Sequence, residues 1–159
     1  MKPLAIPAYL LLLLCISCTP VTYLGSVEIH APVGKVFSVI DDYENYPTFI
    51  PEFHNKTAIV SDIKKGSGVQ FENESVWNGH KLKSTYEITA YEKDHKIEMC
   101  NLSQKGTTVM TLERISEDWT RYTLQVGISI PRGMKEALFA AFDREMNAVK
   151  DYCESHYDN

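Results

Sequence analysis

The sequence predicts an α+β domain in which a curved antiparallel sheet of about seven strands wraps around a long C-terminal helix. A short helix pair is expected after the first strand. Three observations carry that prediction. One short alternating segment precedes a proline-started amphipathic helix. Six further alternating segments follow, joined by short turns. The end of the chain then repeats apolar residues at helical spacing.

The first strand is Ser26 to His30, where Val27 and Ile29 share a face. Ala31-Pro32 follows, and proline suits the first turn of a helix. Val33, Val36, Phe37 and Ile40 then fall at i, i+3, i+4 and i+7, which is one helical face. Asp41, Asp42 and Glu44 mark the end of this helix, because the dipole disfavours acids there. Tyr46 precedes Pro47 and is expected to leave helical angles. A second short turn is expected between Pro47 and Pro51.

Strand then follows strand. Lys56 to Ser61 is one. Val69, Phe71, Asn73, Ser75 and Trp77 alternate in the next, and Asn78-Gly79 is a strong hairpin signal. Leu82, Ser84, Tyr86, Ile88 and Ala90 alternate after it. Ile97 to Leu102, Thr107 to Ile115 and Arg121 to Ile130 complete the sheet. A helix of roughly 34 Å is expected over Met134 to His156. Its apolar stripe is Met134, Leu138, Ala141, Phe142, Val149, Tyr152 and Cys153.

The N-terminus reads differently. Lys2 is followed by an apolar run from Tyr9 to Ile16, too short to span a bilayer. It suits the apolar region of a secretory signal. The stretch Leu14-Cys15-Ile16-Ser17-Cys18 resembles a bacterial lipoprotein signal, in which a small residue precedes the cysteine that is acylated. The implied organisation is a signal over 1–17, a tether over 18–25 beginning with a lipidated Cys18, and one domain over 26–159. That places the domain in the cell envelope, outside the cytoplasm. The alternatives are an ordinary cleaved signal or an uncleaved anchor. Cys100 and Cys153 are expected to be free thiols, with a bridge between them as the alternative.

The 159 residues carry a net charge of −5, which argues against nucleic acid as the partner. A long helix laid over a curved sheet leaves a gap suited to a small apolar molecule. Several residues are candidates to line it. Phe71, Asn73, Ser75 and Trp77 share one strand face, unless the strand runs off the core edge by Asn73. Tyr86 faces inward on the neighbouring strand. Phe49 and Ile50 are either core packing or the cavity rim, where the segment around Pro47 to Pro51 would act as a gate. Phe142 lies on the helix stripe.

Glu145 is the oddity. It falls on the apolar stripe, where a carboxylate must be paired, protonated or facing a cavity. Pairing with a basic group from the sheet is the plain alternative. The five histidines show no metal-ligand spacing and read as surface or turn residues.

The run VEIHAPVGKVFSVIDDYENYPTFIP resembles the START-like superfamily of polyketide cyclases and lipid-transport proteins, nearest to its coenzyme Q-binding branch. The resemblance covers about residues 26–157. It implies a helix-grip fold with a deep cavity, no metal and no cofactor. The branch often places an aromatic residue and a cysteine after the second proline, where this chain has Glu52-Phe53.

The function expected is therefore a membrane-anchored binding or transport protein for a lipid, a quinone or a similar apolar molecule. The alternative is a cyclase or hydratase acting on an apolar substrate, with Glu145 and Tyr86 as its acid/base candidates.

Overall fold

The computed structural model describes residues 18–157 apart from Asn78 and Arg132, and the side chain of Trp77 lies outside the described part. The signal segment 1–17 also lies outside the described residues. Among those described, no helix is long and apolar enough to cross a membrane.

Seven strands form one antiparallel sheet in the order β1-β7-β6-β5-β4-β3-β2. They are β1 Cys18–Ile29, β2 Lys56–Ile59, β3 Gln70–Trp77, β4 His80–Glu92, β5 Lys96–Asn101, β6 Gly106–Arg114 and β7 Thr120–Pro131. Helix α1 spans Val33–Ile40 and a 3₁₀ turn spans Tyr43–Asn45. Helix α2 spans Tyr46–Phe49, and α3 spans Lys135–Ser155. The α+β architecture expected from the sequence is the one observed. A register shift between Ile88 and Ala90 bends β4, which adds to the curvature of the sheet.

Residues 18–25 are not a tether. They form the first two-thirds of β1, and Cys18 pairs with Pro131. Pro20 hid this, because proline argues against a central strand. Here β1 is an edge strand, where a missing N–H costs little.

Tyr46 also departs from expectation. Although it precedes Pro47, it sits at helical angles of φ −51° and ψ −40°. Its buried hydroxyl donates to the carbonyl of Ile40 at 2.6 Å, which ties α2 to the end of α1.

The acids after α1 are structural. Asp41 accepts from the Tyr91 hydroxyl at 2.8 Å and pairs with Lys65 at 2.9 Å. The motif thus locks the helix end to β4 and to the β2–β3 loop.

Cys100 and Cys153 are both free. They cannot approach each other. Cys100 alternates outward from buried Met99 and Asn101 on β5, whereas Cys153 is buried beneath α3. Burial pushes the Cys153 thiol up to about 12.

Helix α3 lies along β1 and only grazes β7. The Tyr23 ring meets Phe139 and Phe142, with centroids 5.2 and 5.1 Å away. Its hydroxyl donates to Asp143 at 2.6 Å. The approach requires glycine at position 25: a Cβ there would overlap the Tyr23 hydroxyl and the Met146 methyl. Gly127, on β7, has room for one. Gly25→Ala is therefore expected to destabilise the fold by about 1–3 kcal/mol. Gly127→Ala should be neutral or stabilising, since alanine restricts the unfolded chain. Chemical denaturation of the two variants checks the contrast.

Candidate functional site

The concave face of the sheet is built by strict alternation. Phe71, Asn73 and Ser75 point inward from β3, and Leu82, Ser84 and Tyr86 from β4. Met99 and Asn101 do so from β5, Thr108 and Met110 from β6, and Leu124, Val126 and Ile128 from β7. Opposite them, Leu138, Phe142 and Glu145 face in from α3 at i, i+4 and i+7. Together with Phe53 and His54 these groups enclose a cavity of about 200 Å³.

The apolar floor is well ordered. Tyr43 stacks on Phe71 at 4.7 Å and 3°, and Phe71 stacks on Tyr86 at 5.1 Å and 11°. Three rings thus form a continuous pile running into the cavity wall.

Glu145 reaches this cavity without a countercharge. Among the described residues no Lys or Arg lines the space. Glu145 keeps some accessible surface, yet protein surrounds it on every side. The two facts agree because the surface it retains belongs to the cavity wall. Burial alone raises its carboxyl to about 7. The hydroxyls of Tyr46, Tyr86 and Tyr122 lie within its electrostatic reach, and all three are held above the ordinary tyrosine value. In each case burial is the main cause and the Glu145 charge a lesser one. For Tyr86, hydrogen bonds from Asn101 and Ser84 oppose the shift.

His54 is the group that sequence reasoning missed. It is no surface histidine but part of the cavity wall, and its ring meets Tyr46 edge-on at 5.0 Å. Burial lowers its imidazole to about 4, against a smaller opposite effect of the bond to Asn73. It is therefore neutral near pH 7, and its tautomer follows from its neighbours. The Asn73 amide donates to the Phe53 carbonyl at 3.2 Å, which can only accept. The Asn73 oxygen then faces both Thr57, at 3.3 Å, and His54 Nδ1, at 2.9 Å. An amide oxygen cannot donate, so Nδ1 carries the proton and Nε2 is left as an acceptor.

The other candidates separate clearly. Phe71, Asn73, Ser75, Tyr86, Phe142 and Glu145 all lie on the cavity wall. Phe49 and Ile50 do not. Both are buried, and Phe49 stacks on Tyr152 of α3 at 4.7 Å. Phe49 packs beneath the far half of the helix, and Ile50 is part of the buried core. Trp77 ends β3 beside the hairpin turn. Cys18 is exposed at the start of β1. Among the described residues, no cluster of three or more His, Cys, Asp or Glu side chains is placed to hold a metal ion.

Solved structures share this arrangement. Ara h 8.0201 superposes with a TM-score of 0.68 at 17% identity, over 87% of this chain and 100% of its own. The Zhui aromatase/cyclase from Streptomyces sp. R1128 gives 0.70 at 17%, over 86% and 94%. A START superfamily protein from Mycobacterium smegmatis gives 0.68 at 12%, over 86% and 97%. The fold is the helix grip that these structures share. No sequence family and no curated protein matches the chain. The helix grip is thus shared by proteins only distantly similar in sequence, and at such identities the likeness speaks of fold alone.

The two buried titratable groups make a paired prediction. Glu145 has a raised folded value, so its ionisation costs stability. That cost is absent below the unfolded value of 4.5 and grows as pH rises to about 7. His54 has a lowered folded value, so its cost appears as pH falls from 6.5 toward about 4. The two trends oppose each other and flatten the wild-type profile. Glu145→Gln should leave the histidine slope, with stability rising between about pH 4 and 6.5. His54→Gln should leave the glutamate slope, with stability falling between about pH 4.5 and 7. Each slope amounts to about 3 kcal/mol in total, readable by urea denaturation across the range.

Proposed function

We propose that the protein binds an uncharged apolar small molecule in the cavity between sheet and α3, and that it acts as a carrier or binding protein at a membrane outside the cytoplasm. One observation supports the ligand class above the others. The cavity is mostly apolar, and the two ionisable groups that set its charge, Glu145 and His54, are held toward their neutral forms. A carboxylate or phosphate would meet no basic side chain among the described lining residues and would face Glu145 directly. A lipid alcohol, a quinone or a similar neutral molecule meets hydroxyls, an amide and the His54 acceptor instead. Each buried methylene contributes about 0.8 kcal/mol.

Size sets a further condition. A cavity of about 150 Å³ holds benzene, so the 200 Å³ here takes a ring with its substituents. A longer tail must extend out through the mouth. Leu82, Gln104 and Thr107 line the cavity and are also exposed. They place that mouth between the β3–β4 hairpin, the β5–β6 turn and the start of α3. The segment Pro47 to Pro51, with its buried neighbours, is a poorer gate than the sequence alone suggests. The membrane location rests on the N-terminal sequence, in which the apolar run and Cys18 resemble a lipoprotein signal.

The test is native mass spectrometry on protein purified from its own host, followed by solvent extraction. A stoichiometric neutral lipid, quinone or comparable molecule is expected. Protein that stays empty after incubation with host lipids and quinones would overturn the reading.

A second reading is an enzyme, favoured by a carboxyl raised to about 7 and a fixed histidine acceptor that both line one cavity. Glu145→Gln separates the two. A carrier should retain its ligand with affinity changed less than about tenfold, as expected for loss of one hydrogen-bonding change at the wall. An enzyme should keep the ligand and lose turnover.

A further inference from the structure

The strand register gathers four features at one end of the sheet. Cys18 pairs with Pro131, Asn101 with Gly106, and Trp77 with His80. The start of β1, the β5–β6 turn, the β3–β4 hairpin and the beginning of α3 therefore share that end. It is also the end where the cavity wall reaches the surface, at Leu82, Gln104 and Thr107.

The surface there is both apolar and basic. Val76, Leu82 and Leu102 are 44%, 41% and 49% exposed. Lys81, Lys105 and Lys135 lie on the same hairpin, turn and helix start, all exposed and none in an ion pair with a described residue. Of the acids at this end, Glu52 and Glu72 are paired with Arg144 and Lys83, which leaves Glu74 and Glu136 beside the three lysines. The opposite end is acidic on balance, with Asp42, Asp62, Glu92, Asp94, Glu117, Asp118 and Glu154 outnumbering Lys35, Lys64, Lys93 and Arg114. In a chain of net charge −5, the unpaired charge around the cavity mouth is thus basic on balance. Residues 1–17, with the apolar run Tyr9 to Ile16, join the fold at the same end.

We infer that this end docks on an anionic bilayer, with Val76, Leu82 and Leu102 entering the headgroup layer and the lysines meeting lipid charge. The cavity mouth then opens onto the membrane. Exposed aliphatic tips supply apolar burial, and each nearby lysine adds an electrostatic attraction that salt screens. The charge asymmetry selects one orientation, since the acidic end is repelled. A ligand with a long tail passes between bilayer and cavity without crossing water. The purpose of the docking rests on the proposed carrier function, but the docking itself does not.

The test uses the full chain with vesicles of phosphatidylcholine alone or mixed with phosphatidylglycerol, read by co-sedimentation. The N-terminal segment contributes equally to every variant, so comparisons isolate the face. The mixed vesicles should bind more tightly, and added salt should remove the difference. Lys81→Glu, Lys105→Glu and Lys135→Glu together should weaken binding to mixed vesicles by at least about 100-fold. The same number of reversals at the acidic end, Lys64→Glu, Lys93→Glu and Arg114→Glu, should change it little. Circular dichroism establishes that both triple variants fold.

Fluorescence gives a second readout. Trp119 lies at the end away from the docking face, and Leu102 is exposed at that face. With brominated lipid, Trp77→Phe protein, which keeps Trp119, should not be quenched, and adding Leu102→Trp to it should bring quenching at the docking end. Equal binding to both vesicle types, equal losses in the two triple variants, or preferential quenching of Trp119 would each overturn the inference. A stoichiometric ligand in the mass spectrum with no vesicle binding would leave the carrier reading standing and remove only the docking.

Discussion

Everything about the site depends on where α3 touches the sheet and where it does not. The helix is fastened along β1, through Tyr23, Phe139, Phe142 and Met146 over Gly25. Its far half is fastened by Phe49 and Tyr152 over α2. Between these attachments the sheet curves away. Side chains from β3 to β6 are too short to cross the gap, so the inward faces that would ordinarily close a core enclose space instead. The cavity follows from an edge-strand contact and a short buried pillar.

The same geometry explains the electrostatics. A glutamate on the apolar stripe of a well-packed helix would need a partner. On this helix it meets a gap, so burial raises its carboxyl to about 7 with no ion pair to lower it. His54 arrives from the opposite direction. The loop after α2 is strapped to α3 by Arg144, which pairs with both oxygens of Glu52 at 3.0 and 2.6 Å. That strap holds Phe53 and His54 at the wall, where Asn73 fixes the imidazole. An exposed pair of this kind adds little stability. Its contribution here is position.

Much of this was legible in the sequence, for physical reasons. Alternation on β3, β4 and β7 and helical spacing in α3 are periodic signals, and they carried the fold and the inward faces. Glu145 stood out because a charge on an apolar stripe breaks the pattern. Other features were not legible. Residues 18–25 carry Pro20 and polar side chains, and only pairing with β7 makes them a strand. His54 and Phe53 follow a turn, where no period tells which way a side chain points. Phe49 and Ile50 read equally well as core packing or rim, and only the packed structure puts them in the core. The Lys81, Lys105 and Lys135 cluster is scattered in sequence, and only the strand register brings it together.

Glu145 faces a mostly apolar cavity, and its protonation decides whether that cavity suits a neutral molecule. The most direct measurement is a titration of the Glu145 side-chain carboxyl by carbon-13 NMR, assigned by comparison with Glu145→Gln. A midpoint near 7 is expected in the free protein, moved further upward when a neutral apolar ligand fills the cavity and excludes water. A midpoint at the ordinary 4.5, unchanged by any such ligand, would mean a solvated carboxylate and would contradict the account.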